Sequence, residues 1–130
     1  KKEKANLAVV LCAAYLYDIG VKNILEKQGS IDSEHMEKES PKVARELMEK
    51  LGAKEELITE VIDIVGHHNR PAEDDNINRK VLHDADMLTH MASCEKKNGV
   101  EDEEFRAKLD RIFLTKAGNE LAKQVLIEAN

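Results

Sequence analysis

The chain has 130 residues, enough for one compact domain on the usual scale of roughly 100–200 residues per domain. Charged residues make up 35% of it and apolar residues 42%, which is too apolar for a disordered segment and too evenly charged for a membrane protein. A formal net charge of −6 argues against an extended nucleic acid as a partner, because nucleic-acid modules present a basic surface. We therefore expect a single soluble domain spanning residues 1–130.

The longest apolar run, Leu7 to Leu16, is far shorter than the roughly 20 residues that cross a bilayer, and no signal-peptide cleavage pattern follows it. The two cysteines, Cys12 and Cys94, lack the short spacing of zinc ribbons and redox motifs, and we interpret both as free thiols. These features predict a cytoplasmic protein without a membrane partner.

With two prolines, six glycines and no alternating strand pattern, the sequence predicts an all-α fold. Apolar residues recur at helical spacing near the N terminus and predict one buried helix face, and Gly20 is placed to end that helix. This face is expected to consist of Leu7, Val10, Leu11 and Ala14. A short second helix from Val21 to Lys27 is expected to follow.

His35 follows a predicted helix cap at Asp32 or Ser33, in an otherwise irregular segment. Ser40-Pro41 predicts the start of the next helix, because serine caps the first free amides and proline suits the first helical position. The buried face of this helix is expected to consist of Val43, Ala44, Leu47 and Leu51.

The second half of the chain shows four more helical patterns, with a loop and a connector between them. Apolar positions between 57 and 65 predict a helix that runs directly into Gly66-His67-His68, and a polar loop at 69–76 follows. A further helix from Ile77 to Ser93 is followed by a charged connector at 95–104 and by two last helices. Together the patterns predict a helical bundle of about six or seven helices.

The helix that begins at Ile77 carries two aspartates, Asp84 and Asp86. Residues two apart on a helix point about 200° away from each other, so at most one of these carboxylates can face a central site. We expect Asp84 to face outward or to support the site from behind its ligands. The inward face is expected to consist of Val81, Leu82, Ala85, Leu88 and Met91.

Four motifs follow one another along the chain. They are an apolar run that ends in Tyr17-Asp18-Ile19-Gly20, then His35 with Glu39-Ser40, then Ile64-Val65-Gly66-His67-His68, then Asp84-Ala85-Asp86-Met87-Leu88. In order and spacing they resemble the HD superfamily of metal-dependent phosphohydrolases, over nearly the whole chain. The resemblance implies a compact, all-α HD-domain bundle.

The resemblance also implies a divalent metal, because imidazole and carboxylate groups together suit Fe, Mn, Ni, Zn or Mg. The family's His-Asp doublet falls on Tyr17-Asp18 and its last aspartate on Asp86, which makes Asp18 the predicted catalytic residue and both aspartates predicted ligands. Relatives that bind two metals use further histidines, which resemble His35 and the pair His67-His68. Asp18 would also lie beside the C-terminal dipole of a helix that ends at Gly20, where a compensating positive charge is expected.

The implied substrate is a nucleotide or another small phosphate ester. A bound metal would lower the pKa of its water and polarise a phosphoryl oxygen, which favours attack on phosphorus. Lys22 follows the doublet and Arg70 follows the histidine pair, and both are predicted to bind phosphate. The sequence leaves open whether the apolar helix ends pair in a homodimer.

Two departures from the family pattern leave a second interpretation open. Tyr17 stands where the doublet histidine belongs, and a phenol with a pKa of about 10 is a poor ligand at neutral pH. The family's first histidine lies on a preceding helix, and no histidine precedes Tyr17 here, so either an N-terminal helix is missing or the site is degenerate. The alternative is an HD-fold ligand-binding or regulatory module, in which the pair at His67 is only a polar helix end.

Overall fold

A computed structural model describes residues 2–29, 32–67, 76–94 and 103–128. These residues contain six α-helices and no strand, so the all-α prediction is confirmed. The helices are α1 (Leu7–Gln28), α2 (Ser33–Lys50), α3 (Glu55–Gly66), α4 (Ile77–Cys94), α5 (Glu103–Ile112) and α6 (Lys116–Lys123). A short π-helix, Gln124–Glu128, continues α6. The predicted loop at 69–76 and connector at 95–104 fall mostly outside the described residues.

The chain divides into two compact units, which are described separately. The α1–α3 unit is Asn6–Asn78, and the α4–α6 unit combines Lys1–Ala5 with Arg79–Asn130. In the first unit, α1, α2 and α3 pack on one another. In the second, a buried apolar cluster joins the last three helices. Its members are Met91, Leu109, Phe113 and Ala122.

Helix α1 is one continuous helix, so the predicted end at Gly20 is wrong. Gly20 is buried against α2, where a Cβ atom would lie 3.1 Å from Oγ of Ser40. This glycine therefore permits a close helix contact and does not terminate the helix. The helix begins at the cap Asn6, whose side chain accepts the N–H of Val9 at 3.3 Å, and it ends at Gly29 with a φ of 71°.

The buried face of α1 also differs from the prediction. Leu7 and Leu11 are 54% and 46% exposed, and the predicted face shares only Val10 with the buried one. The buried face consists of Val9, Val10, Ala13, Leu16 and Ile24. The wrong face was predicted because the start of α1 carries apolar residues on every side, and the spacing of apolar residues cannot select the buried face of such a helix.

Helix α1 is also longer and more apolar than the sequence run alone indicated. By length and composition, Leu7–Lys27 meets the requirement for a membrane-crossing helix, with a mean hydropathy of 1.5 and 33% of that window buried. A core helix of a soluble protein meets the same requirement, so this is weak evidence. The expectation that the run falls far short of bilayer length was wrong, because the helix continues through Gly20.

Helix α2 begins earlier than Ser40-Pro41, and that predicted start is wrong. The cap at Asp32 is confirmed, since its Oδ1 accepts the backbone N–H of His35 at 2.7 Å. Pro41 lies inside the helix, where it cannot donate the i→i−4 hydrogen bond and its ring crowds the carbonyl four residues before it. Ala44 is buried as predicted, whereas Leu51 is 83% exposed.

Helix α3 agrees with its prediction and buries Ile58, Val61, Ile64 and Val65. Its last residue, Gly66, packs closely on α2, where a Cβ atom would lie 3.2 Å from Cγ of Pro41. This close contact fixes the end of α3, and with it the position of the next residue, His67. Helix α4 also begins at the predicted Ile77, but Ala85 is exposed and not inward.

Candidate functional site

His67 is the predicted ligand whose surroundings are best defined. It follows the last residue of α3, and its side chain is 45% exposed. Its ring Nδ1 lies 2.8 Å from the carbonyl oxygen of Asp63 and 3.4 Å from a carboxylate oxygen of the same residue. A carbonyl oxygen only accepts, so Nδ1 must carry the proton and donate it. In the neutral ring, Nε2 then keeps the free lone pair, and no described residue forms a hydrogen bond to it.

The sequence produces this arrangement through helical spacing. Asp63 lies four residues before His67, one turn below it on the same side of α3. The backbone carbonyl of Asp63 can accept the hydrogen bond from His67, because the last carbonyls of a helix have no amide partner within it. Asp63 was missed at the sequence level, and the signal for it was a carboxylate four residues before a histidine at a helix end.

An open groove of about 580 Å³ lies beside His67, between α2 and α3. Pro41 and Ile62 form apolar parts of its lining, and Lys38 supplies a positive charge. The ammonium of Lys38 lies 2.6 Å from the carboxylate of Glu34, which raises the pKa of Lys38. The groove therefore combines an imidazole with a cation that is already paired on its own helix.

His35, a second predicted ligand, belongs to the first turn of α2. Its side chain is 51% exposed, and its Nδ1 lies 3.4 Å from the second carboxylate oxygen of Asp32. The same aspartate accepts the backbone N–H of His35. The structure therefore gives His35 a role in the cap of α2, and its metal-ligand role stays a prediction.

Asp18 lies in the middle of α1 and is exposed. Asp18 does not lie beside a helix C-terminal dipole, as was predicted, because α1 continues to Gln28. Lys22, one turn further on, has its ammonium 4.0 Å from the carboxylate of Glu26, and both side chains are largely exposed. Phosphate binding by Lys22 and metal binding by Asp18 stay predictions.

Asp84 is buried, which contradicts the expectation that it faces outward. Its Oδ1 accepts the N–H of Leu114 at 2.8 Å, and its Oδ2 accepts the N–H and the hydroxyl of Thr115 at 2.8 and 2.6 Å. The carboxylate therefore fixes the turn that joins α5 to α6. Asp86 is exposed on another side of α4, although the sequence placed Asp86 and not Asp84 at the central site, and its metal-ligand role stays a prediction.

His68 and Arg70 lie outside the described residues, and so does the side chain of Cys94. Cys12 is a free thiol, as expected. The donor types fit a divalent metal, and the tautomer of His67 fits a ligand role. However, no three His, Cys, Asp or Glu side chains come together as a possible metal site within the described part of the chain. A complete set of metal ligands is thus not formed by these residues.

No protein-family model matches the chain, and no curated protein or solved structure matches it.

Proposed function

We propose that this chain is an HD-type, metal-dependent phosphohydrolase domain that acts on a nucleotide or another small phosphate ester. Its support in the sequence is the order and spacing of the four motifs that resemble the HD superfamily. Its support in the fold is the all-α class, which that superfamily requires.

The observation that carries the proposal is the orientation of His67. Metal-binding histidines donate one ring N–H to a carbonyl or carboxylate oxygen, which fixes the tautomer and leaves the other nitrogen for the metal. The contact between Nδ1 of His67 and the carbonyl of Asp63 has this form, at 2.8 Å. A histidine that only capped α3 would make the same contact, so metal binding at Nε2 is what distinguishes the two roles.

The test is metal binding by the purified chain, supplied in turn with Fe, Mn, Ni, Zn and Mg at neutral pH. We expect bound metal in the wild type and at least about tenfold weaker binding in His67→Ala, as is usual when a metal site loses an important group. His90→Ala is the matched control, because His90 is another exposed histidine outside the motifs. Equal metal binding by His67→Ala and wild type would contradict the role of His67.

Two further readouts separate metal binding from catalysis. In the metal-free protein, nitrogen NMR of His67 should show the neutral ring protonated at Nδ1, as the contact with Asp63 requires. Phosphate release from a generic ester and from nucleoside monophosphates should depend on the metal. A wild type that retains no metal under any of these conditions would exclude the phosphohydrolase function.

The second candidate is a non-catalytic HD-fold module that binds a phosphorylated ligand. Two observations favour it: Tyr17 replaces the histidine of the doublet, and the described residues form no metal-binding group of three. Tyr17→His distinguishes the candidates, because it should raise metal affinity and phosphatase activity in an impaired enzyme. In a module without catalysis it would leave hydrolysis at the background rate, while nucleotide binding persists.

A further inference from the structure

A separate cavity lies within the α4–α6 unit. Its volume is about 370 Å³, which falls in the range of about 300–1,000 Å³ that small-molecule sites occupy. Its apolar walls come from two helices. They are Val81, Ala85 and Leu88 on α4, and Ala117 and Leu121 on α6. The cavity thus has the size and the apolar lining of a ligand site.

One side of the cavity is a close contact between α4 and the start of α6. There, Asp84 binds Thr115, and Gly118 lies so close to the carboxylate of Asp84 that a Cβ atom on Gly118 would overlap it. Ala85 on α4 and Leu121 on α6 both line the cavity next to this contact. Leu121 remains 48% exposed among the described residues, so apolar surface there is available to a ligand.

The α6 side of the cavity includes a feature that is uncommon in ordinary helix packing. Gln124, the first residue of the π-helix Gln124–Glu128, lines the cavity. Short π-helical segments are rare and occur frequently at functional sites. The change in helical winding therefore coincides with the wall of the cavity, and it places an amide side chain there.

The charges around the cavity select the kind of ligand. Three carboxylates line it, from Glu3, Asp84 and Glu120, against the single ammonium of Lys2. Glu3 already accepts the N–H of Ala117 at 2.6 Å, and Asp84 already accepts three hydrogen bonds. Among the described residues, Glu120 has one distant partner, Lys116 at 3.9 Å. The excess negative charge favours a cation and disfavours a carboxylate or phosphate.

We propose that this cavity binds a small amphiphilic amine. The hydrocarbon part lies between Leu88 and Leu121, and the protonated amine lies toward Glu120. The site is distinct from the predicted metal ligand Asp86, because Asp84 and Asp86 point to different sides of α4. It is therefore independent of the proposed phosphohydrolase function.

The test uses n-octylamine, n-octanol and octanoate as probes of the whole chain, followed by amide NMR. We expect octylamine to shift the amides of Gly118, Leu121 and Gln124 in a saturable way, with octanoate at least about tenfold weaker. Octanol should bind between the two, because it keeps the hydrocarbon and lacks the charge. Nuclear Overhauser effects from the alkyl chain should reach the methyl groups of Leu88 and Leu121.

Two variants complete the test. Ala85→Trp places an indole in the cavity from an exposed position, and it should weaken octylamine binding at least about tenfold. Ala107→Trp is the matched control, an exposed alanine on α5 that does not line the cavity, and it should bind octylamine as the wild type does. If Ala85→Trp does not fold, the Overhauser contacts in the wild type decide. No saturable shift with octylamine, or equal binding of octanoate, would overturn the proposal.

Discussion

The two units bury polar side chains in opposite ways. In the α1–α3 unit, Ser40 is fully buried where α1 and α2 touch, and its hydroxyl has no hydrogen-bond partner among the described residues. In the α4–α6 unit, Asp84 is buried to a similar degree, yet it accepts three hydrogen bonds. A buried polar group without partners opposes folding, whereas one with several partners holds its surroundings in place. Removing the polar group should therefore have opposite effects in the two units.

The largest effect should come from Asp84→Ala. It removes the acceptor for two buried donors, the amide and the hydroxyl of Thr115, and for the partly buried amide of Leu114. Each unsatisfied buried group costs about 1–3 kcal/mol, so we expect a loss of about 3 kcal/mol or more in the free energy of unfolding, measured by urea denaturation. Asp86→Ala in metal-free buffer is the control, with an expected change of about 0.5 kcal/mol or less for an exposed site. Equal losses for both variants would show that the hydrogen bonds of Asp84 do not stabilise the unit.

The next largest effect is expected when a methyl group is added beside each buried polar side chain, Asp84 in one unit and Ser40 in the other. In Gly118→Ala, the new methyl group would overlap the carboxylate of Asp84, which is held by its hydrogen bonds and cannot move away. Overpacking of this kind costs up to about 3 kcal/mol. The higher helix propensity of alanine offsets about 1 kcal/mol of it, so we expect a net loss of about 2 kcal/mol.

Gly20→Ala is the matched variant in the other unit. Its methyl group would lie 3.1 Å from the hydroxyl of Ser40, a contact that a small shift relieves. Alanine also favours a helix interior over glycine by about 1 kcal/mol, so the net cost should stay below about 1 kcal/mol. Thermal unfolding of the two variants compares them directly. A larger loss for Gly20→Ala would reverse the comparison.

A smaller effect of opposite sign is expected for Ser40→Ala. The substitution removes a buried hydroxyl that has no partner among the described residues, and it leaves the helix contact at Gly20 intact. We expect an increase of about 0.5–1 kcal/mol in the free energy of unfolding. Ser93→Ala is the control, because that serine is exposed and its hydroxyl donates to the carbonyl of His90. A destabilised Ser40→Ala would mean that the hydroxyl has a partner in solution, such as a buried water.

These features mark the limit of what the sequence could predict. Helix type followed from composition, and α3 and α4 were placed correctly because their apolar residues recur on one side only. Gly20 was wrongly predicted to end a helix and Ser40-Pro41 to begin one. The same residue types occur at a helix terminus and at a close contact between two helices, so the local sequence does not distinguish the two. Only the partner helix distinguishes the two cases, and a partner far away in sequence leaves no local pattern.

The candidate site has the same limit. The motifs predicted that His67 is a ligand, but the tautomer of its ring depends on the backbone carbonyl of Asp63. Any residue at position 63 would supply that carbonyl, so the residue type does not predict the contact. Helix geometry could only show that Asp84 and Asp86 face different sides, and the sequence left Asp84 facing outward or supporting the site. The partners that bury it lie about thirty residues later in the chain. Residue type predicts which groups can do chemistry, whereas packing decides which of them are committed to holding the fold.

The smallest expected effect concerns the surface ion pairs of the two units and their pH dependence. In the α4–α6 unit, Lys123 on α6 lies 2.6 Å from Asp110 on α5, and this hydrogen bond lowers the pKa of Asp110 below its ordinary value of 3.8. In the α1–α3 unit, Lys50 lowers the pKa of Glu46 below 4.5 in the same way, but within one helix. A carboxylate with a depressed pKa in the folded state stabilises that state above its unfolded pKa, and the contribution is lost as the pH falls through the folded pKa.

Asp110→Asn should therefore lower the Tm slightly at pH 7, and the difference from wild type should shrink as the pH falls below 3.8. Glu46→Gln is the matched variant, and its difference should shrink below 4.5. Because the pair at Asp110 joins two helices, breaking it should lower the Tm more than breaking the pair within α2, which only supports a helix that is already formed. A difference at Asp110 that stayed constant down to pH 2 would show that its charge does not stabilise the contact between α5 and α6.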